Sequence, residues 1–197
     1  MNLQRLVAEH TIDVDLLPES PLVLDVGCRR FNFCEEILAL RPKAQIIAFD
    51  PGPDIEALDD MRITFMNFAL MHGAHEGAWL SMNDCSSIVS TVYQDGLVEV
   101  PVIGMDEILY HWPYFDLMKF DCEGCEFAIL ENWPGKCAGQ INIEFHDNMV
   151  SPDGKGLPQS YFDELFHVKL SDYRVIQNEP DSLGTHADAL LVLNSSI

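Results

Sequence analysis

Apolar residues fall along this chain in short continuous runs, separated by segments whose apolar positions recur with helical spacing. The first clear run is Pro21-Leu-Val-Leu-Asp-Val-Gly27, a buried strand that closes on Asp25 and Gly27. Phe33, Ile37 and Leu40 share one face and predict a helix over residues 31–40, stopped by Pro42. A second strand, Ala44-Gln-Ile-Ile-Ala-Phe-Asp50, ends in another carboxylate, and Pro51-Gly52-Pro53 forces a turn. A short helix over 54–60 and a strand over 63–67 follow. Residues 78–82 and 97–102 pattern as strands joined by a polar, irregular connection containing Asn83, Asp84 and Ser86, and residues 105–111 as a helix. Phe115-Asp-Leu-Met-Lys-Phe120 is a buried strand, and Phe127, Ile129 and Leu130 after it carry helical spacing. Ile141, Ile143 and Phe145 alternate on one side of a strand over 139–146. A helix over 157–170 and strands over 173–177 and 187–193 complete the pattern. At the start, Leu3, Leu6 and Val7 share a face, so a helix over 3–17 is expected before Pro18, as an N-terminal helical extension (residues 1–18) of one domain spanning 1–197.

Strands alternating with helices at this spacing predict an α/β layered fold around a mostly parallel sheet. The last two strands are joined by about ten residues, too few for a parallel crossover of a dozen or more, so they should pair antiparallel. Eleven Lys and Arg against 32 Asp and Glu give a net charge of −21. Such a field repels phosphate backbones and anionic bilayers, so neither nucleic acid nor membrane is an expected partner. No run approaches the roughly 18 apolar residues of a membrane-spanning helix, and residues 1–10 lack the apolar core of an export signal. With six cysteines and no export signal, a reduced, cytoplasmic protein is expected.

The acidic turn carries the chemistry. Asp121, Glu123 and Glu126 crowd around Gly124 where the strand passes into a helix, at the end of a strand where open α/β sheets bind ligands. Like charges so close oppose local stability, which points to a site. Cys122 and Cys125 form a C-x-x-C, but the same carboxylates oppose a thiolate, so packing is expected rather than redox or zinc chemistry. The first loop has Gly27 alone where a dinucleotide fold needs three glycines, which argues against a nicotinamide cofactor. A single glycine suffices for S-adenosylmethionine (SAM), which brings no phosphate there. Asp50 could accept hydrogen bonds from two ribose hydroxyls or simply close the turn before Pro51; both readings stay open. His146, at the end of its strand near Asp121, is the candidate base for a hydroxyl proton, with Asp147 or Glu144 to orient it. Asp121 and Glu123 with His146 could instead hold a divalent cation; no metal is assigned. Glu126 is expected in the first helical turn, favoured by the helix dipole. His72 and His75 flank Gly73 in what reads as a surface loop, and Trp112 is the best of the three tryptophans for a substrate rim.

Taken together, Val23-Leu-Asp-Val-Gly-Cys28, Ile47-Ala-Phe-Asp-Pro51, Asn67-Phe-Ala-Leu70, Val100-Pro-Val-Ile-Gly-Met-Asp-Glu-Ile-Leu109 and Asp116-Leu-Met-Lys-Phe-Asp-Cys-Glu-Gly-Cys-Glu126 resemble the FkbM-type methyltransferases. The K-x-D-x-E-G-x-E part is the most specific. The resemblance implies a class I methyltransferase fold: a Rossmann-like, seven-stranded, mostly parallel sheet with one antiparallel strand and helices on both faces. It implies SAM as cofactor and methylation of a hydroxyl on a small-molecule or sugar acceptor. Asp25 and Gly27 would line the methionine side, Asp50 would hold the ribose, and Asn67 and Ala69 would lie near the adenine. Asp121 would sit beside the transferring methyl, with Glu123 and Trp112 toward the acceptor. Arg29 and Phe31 depart from the family loop of Asn then Gly; Arg29 could pair with the SAM carboxylate. That departure motivates the alternative of a methyltransferase-like fold kept as a non-catalytic binding or assembly module.

Overall fold

The computed structural model describes residues 4–7, 10–72, 78–81, 87–90, 97–146, 157–180 and 187–194. The chain begins with two strands, β1 (Gln4–Val7) and β2 (His10–Asp13), paired antiparallel with Val7 opposite His10, and a 3-10 turn, Val14–Leu16. This corrects the helix expected over 3–17. Every residue of β2 is buried, whereas a surface helix would have turned one face to water. The backbone of β2 is held by side chains from far along the chain. Asp13 N–H donates to Gln140 Oε1 at 2.9 Å, Gln140 Nε2 donates to Asp13 O at 3.0 Å, and Asn142 Nδ2 donates to Thr11 O at 3.1 Å.

Next come β3 (Leu22–Val26), α1 (Asn32–Leu40), β4 (Gln45–Phe49) and β5 (Ile63–Met66). The short helix expected over 54–60 does not form; the segment is turns and irregular backbone. Two prolines precede it, and a single turn with only Ile55 and Leu58 to bury does not repay helix nucleation. β6 (Ala69–Met71), β7 (Ala78–Ser81), β8 (Ser87–Ser90), β9 (Val98–Val100) and β10 (Val102–Gly104) form small accessory sheets. The single strand expected over 97–102 is split at Pro101, which has no N–H for a ladder: β9 pairs with β7, and β10 with β6. Asn83, Asp84 and Ser86 lie outside the described residues.

α2 (Met105–His111), β11 (Phe115–Phe120), α3 (Cys125–Glu131), β12 (Ala138–Phe145) and α4 (Gln159–Glu164) follow. α4 runs on into a π-helical turn, Leu165–Lys169, so the expected 157–170 helix is present in two forms. β13 (Tyr173–Pro180) and β14 (Ala187–Leu193) end the description.

The main sheet has seven strands in the order β13-β14-β12-β11-β3-β4-β5. β14 runs antiparallel to both its neighbours, and the other pairings are parallel. Successive residues of a strand face opposite sides, so both faces are apolar. Leu24, Val26, Met118 and Phe120 pack under Ile108 of α2 and Phe127, Ile129 and Leu130 of α3. Val23, Ile46, Ala48 and Leu117 pack against Phe33 and Ile37 of α1 and against Val7 and Ile12 of the hairpin. β11 sits at the centre, with Phe115, Leu117, Met118 and Phe120 wholly buried. Each contributes about 1.5–3 kcal/mol of burial. The ends of β3, β4, β11 and β12 therefore open along one edge of the sheet, and the site lies there.

Candidate functional site

The loop after β3 lies directly on the end of β11. Gly27 has φ +82°, and a Cβ there would stand 1.7 Å from the carbonyl oxygen of Asp121, so no other residue fits. The loop is pinned by Gly27 N–H to Phe49 O (2.8 Å) and by Asp121 N–H to Val26 O (3.1 Å). Arg29 (φ 31°) and Phe31 (φ 59°) also adopt left-handed backbone. This is how the loop turns without the family's second glycine. Phe31 is buried and meets Phe65 edge to face at 5.3 Å, which stabilises the turn.

Lys119, which the sequence reasoning passed over, clamps this junction. Its ammonium donates to Gly27 O at 2.8 Å and stands 3.2 Å from Asp25 and 3.4 Å from Asp121. Burial works to discharge Lys119, but the charges of Asp25 and Asp121 outweigh it and hold its pKa above the usual lysine range. Asp25 is fully buried, accepts from Cys34 Sγ at 3.1 Å and lines neither cavity described below. In this structure it is the counter-charge of Lys119. The motif did contain a signal, because the lysine of K-x-D is two residues before Asp121, but lysine in a buried strand reads as an edge residue until its partners are seen.

Asp50 does face a cavity. It is 8% exposed, and both oxygens accept backbone donors: Oδ2 from Arg29 N–H and Oδ1 from Gly52 N–H, each at 2.9 Å. Burial raises its pKa above the ordinary carboxylate range, against the pull of those two donors. The cavity holds about 300 Å³ and runs from Asp50 past Gly27, Arg29 and Ala69 to Asp121 and Glu123. Asn67 does not line it; its Nδ2 donates to Asp50 O (2.9 Å) and Gly52 O (2.8 Å) and shapes the wall. A second cavity of about 700 Å³ shares Gly27, Arg29 and Asp121 with the first and is bounded by His10, Lys119 and Glu144.

At the acidic turn, Glu123 (φ 54°) and Gly124 (φ 103°) are both left-handed, and α3 starts at Cys125. Glu126 is in the first helical turn as expected, but it is wholly buried and does more than meet the dipole. Its Oε2 accepts from Gly124 N–H at 2.9 Å, and its Oε1 accepts from His146 N–H at 2.8 Å and lies 3.3 Å from His146 Nδ1. On the other side of the ring, His146 Nε2 is 3.5 Å from Glu123, 3.8 Å from Asp121 and 3.9 Å from Glu144. Burial alone would discharge His146, but the Glu126 hydrogen bond and the charges of Glu126, Glu123 and Asp121 push its pKa up to about 9. His146 lines neither cavity. Burial also opposes ionisation of Asp121, yet the nearby His10 and the charges of Lys119 and His146 hold its carboxyl well below the usual range.

His10 is the residue that sequence reasoning missed altogether. It is buried, its Nε2 is 3.7 Å from Asp121 Oδ2, and its Nδ1 is 4.0 Å from Asp188 Oδ1. No motif marks it, since it arrives from the N-terminal hairpin. Trp112 packs on the core beside His111 and lines neither cavity, so it is not brought to the site. The Cys122 thiol is pushed up by its hydrogen bond with Cys125, by burial and by Glu126, in line with packing rather than redox chemistry. His75, Gly73 and Asp147 lie outside the described residues; His72 is exposed.

A family model described as "Methyltransferase domain" matches residues 65–187, more than half of the chain. The chain belongs to this methyltransferase-domain family. Three solved structures share the fold of this methyltransferase-domain protein. A methyltransferase FkbM from Methylobacillus flagellatus KT superposes with a TM-score of 0.55 at 13% identity, covering 96% of this chain and 48% of that one. The Methanococcus jannaschii fibrillarin pre-rRNA processing protein gives 0.55 at 11% identity, over 92% and 69%. A fibrillarin/Nop5p complex gives 0.52 at 10% identity, over 90% and 74%. The chain thus spans about half the length of the FkbM protein it matches. No curated protein matches. Among the described residues, no helix is long and apolar enough to cross a membrane.

Proposed function

We propose that the protein is a SAM-dependent O-methyltransferase of FkbM type, acting on a hydroxyl of a small-molecule or sugar acceptor. The observation that carries the proposal is Asp50: a buried carboxylate, fixed by two backbone N–H groups, opening on a cavity that ends at Asp121. The residues present fit the cofactor. A carboxylate at the end of the second strand of a Rossmann-like unit takes ribose hydroxyls, and the glycine floor at Gly27 leaves room for close approach. Arg29 borders both cavities and suits the cofactor's carboxylate. Bound SAM would supply an activated methyl group.

The chain's own work is alignment and proton removal. Asp121 lies where the two cavities meet and marks the transfer point. His10 borders the larger cavity with Asp121 beside its Nε2, whereas His146 lines neither cavity, so His10 is the imidazole placed to take the acceptor's proton. Glu123, on the smaller cavity, is the remaining polar contact for an acceptor. The net charge of −21 supports a neutral or cationic acceptor over a nucleic acid. Titration calorimetry with S-adenosylhomocysteine tests the reading. The parent should bind in the micromolar range and Asp50→Asn at least roughly tenfold more weakly, a loss of about 1.4 kcal/mol. No heat from folded parent protein at high concentration would overturn it.

A further inference from the structure

Asp121, Glu123 and His146 each present one donor atom, and the three atoms lie within 4.8 Å of one another. His146 Nε2 stands 3.5 Å from Glu123 Oε2 and 3.8 Å from Asp121 Oδ1. These separations are long for hydrogen bonds. Two donors each about 2.1 Å from one ion, and roughly 90–110° apart, lie about 3.0–3.4 Å from each other, so His146 and Glu123 already stand near the spacing of two ligands of one cation, and Asp121 lies a few tenths of an ångström further from His146.

A separate observation concerns the far side of the ring. Glu126, wholly buried, meets His146 at Nδ1 (3.3 Å) and at the backbone N–H (2.8 Å). A carboxylate behind a buried imidazole is the outer partner that orients a metal-binding histidine and raises its basicity. Here it turns Nε2 toward Asp121 and Glu123. Charge points the same way: Asp121, Glu123 and Glu144 converge on Nε2 with Glu126 behind it. Four carboxylates surround one imidazole.

A second trio, His10, Asp121 and Glu144, has comparable spacing. It uses the opposite face of Asp121, where the Lys119 ammonium stands 3.4 Å from Oδ2 and repels a cation. The Oδ1 face has no such neighbour among the ion pairs described.

We propose that Asp121, Glu123 and His146 bind a divalent cation of the manganese or zinc kind, which accepts mixed imidazole and carboxylate donors. Asp121 and Glu123 border the smaller cavity, so the remaining coordination positions face it and can take water or an acceptor oxygen. The role in acceptor binding rests on the methyl-transfer reading; the site itself does not.

The test uses the full chain, stripped with a chelator and exchanged into metal-free buffer, then titrated with MnCl₂ by calorimetry and electron paramagnetic resonance. One Mn²⁺ per chain should bind in the micromolar range, and ZnCl₂ should displace it. Glu123→Gln, a partly exposed position that should not disturb folding, should weaken binding at least tenfold. Glu126→Gln, which touches no ion, should weaken it roughly 10–100-fold. Circular dichroism confirms that each variant is folded. The proposal falls if folded parent protein takes up neither Mn²⁺ nor Zn²⁺ at about 1 mM, a threshold near −4 kcal/mol, or if Glu123→Gln binds as the parent does. S-adenosylhomocysteine binding, measured on the same preparation without metal, reports separately on the cofactor reading.

Discussion

Lys119 shows how much one buried side chain can decide. Its ammonium is the charge that lets Asp25 sit fully buried and that joins the end of β3 to Asp121. Lys119→Met removes one partner and leaves a buried carboxylate uncompensated, which costs about 3–5 kcal/mol. Adding Asp25→Asn should recover a good part of that loss, because the unpaired charge is gone. Urea unfolding of both proteins measures it; a double variant no more stable than Lys119→Met would show that the lysine acts by packing alone. Asp50 carries a pH signature. Burial raises its folded pKa above the ordinary carboxylate value, and only the ionised form accepts both ribose hydroxyls. Affinity for S-adenosylhomocysteine should therefore hold at neutral pH and fall as pH drops through that raised pKa, at a higher pH than an ordinary aspartate would give. Calorimetry between about pH 7 and 4.5 reads this directly, and an affinity flat over that interval would exclude Asp50 from the contact.

Among the elements, the N-terminal hairpin is the one whose placement matters most for the site, because it delivers His10. Its attachment is polar: Gln140 and Asn142 on β12 turn buried amides toward the backbone of β2. Gln140→Leu keeps the volume but leaves the Asp13 N–H and C=O without that partner, at a cost of about 1–3 kcal/mol. Amide hydrogen exchange should then quicken in β2 while β11 stays protected. Equal protection of β2 in both proteins would mean that apolar packing of Val7 and Ile12 holds the hairpin. The turn from β11 to α3 is organised differently. Consecutive left-handed residues, Glu123 and Gly124, put Asp121, Glu123 and Glu126 around His146 rather than along one helix face. The three carboxylates that repel one another in the sequence are separated by the imidazole and by backbone donors.

For the whole molecule, the order of strands and helices, the central burial of β11 and the antiparallel final pair were all legible in the apolar pattern, because burial on two faces demands continuous apolar runs and helices demand their own period. Asp50 and Asp121 were legible as strand-end carboxylates for the related reason that they end such runs. What the pattern could not decide were contacts between residues distant along the chain. Leu3, Leu6 and Val7 have helical spacing, yet the segment pairs as a hairpin, and the buried amides of Gln140 and Asn142 that hold β2 come from far along the chain. Asp25 has its counter-charge, Lys119, on another strand. The electrostatic setting of His146 comes from Glu126 and Glu123, which reach it only when α3 packs against β12. Which segments form the sheet, and where carboxylates end its strands, follows from the apolar runs alone. Which of those charges are paired follows only from the folded chain, because a charge's ionisation and role are set by neighbours in space.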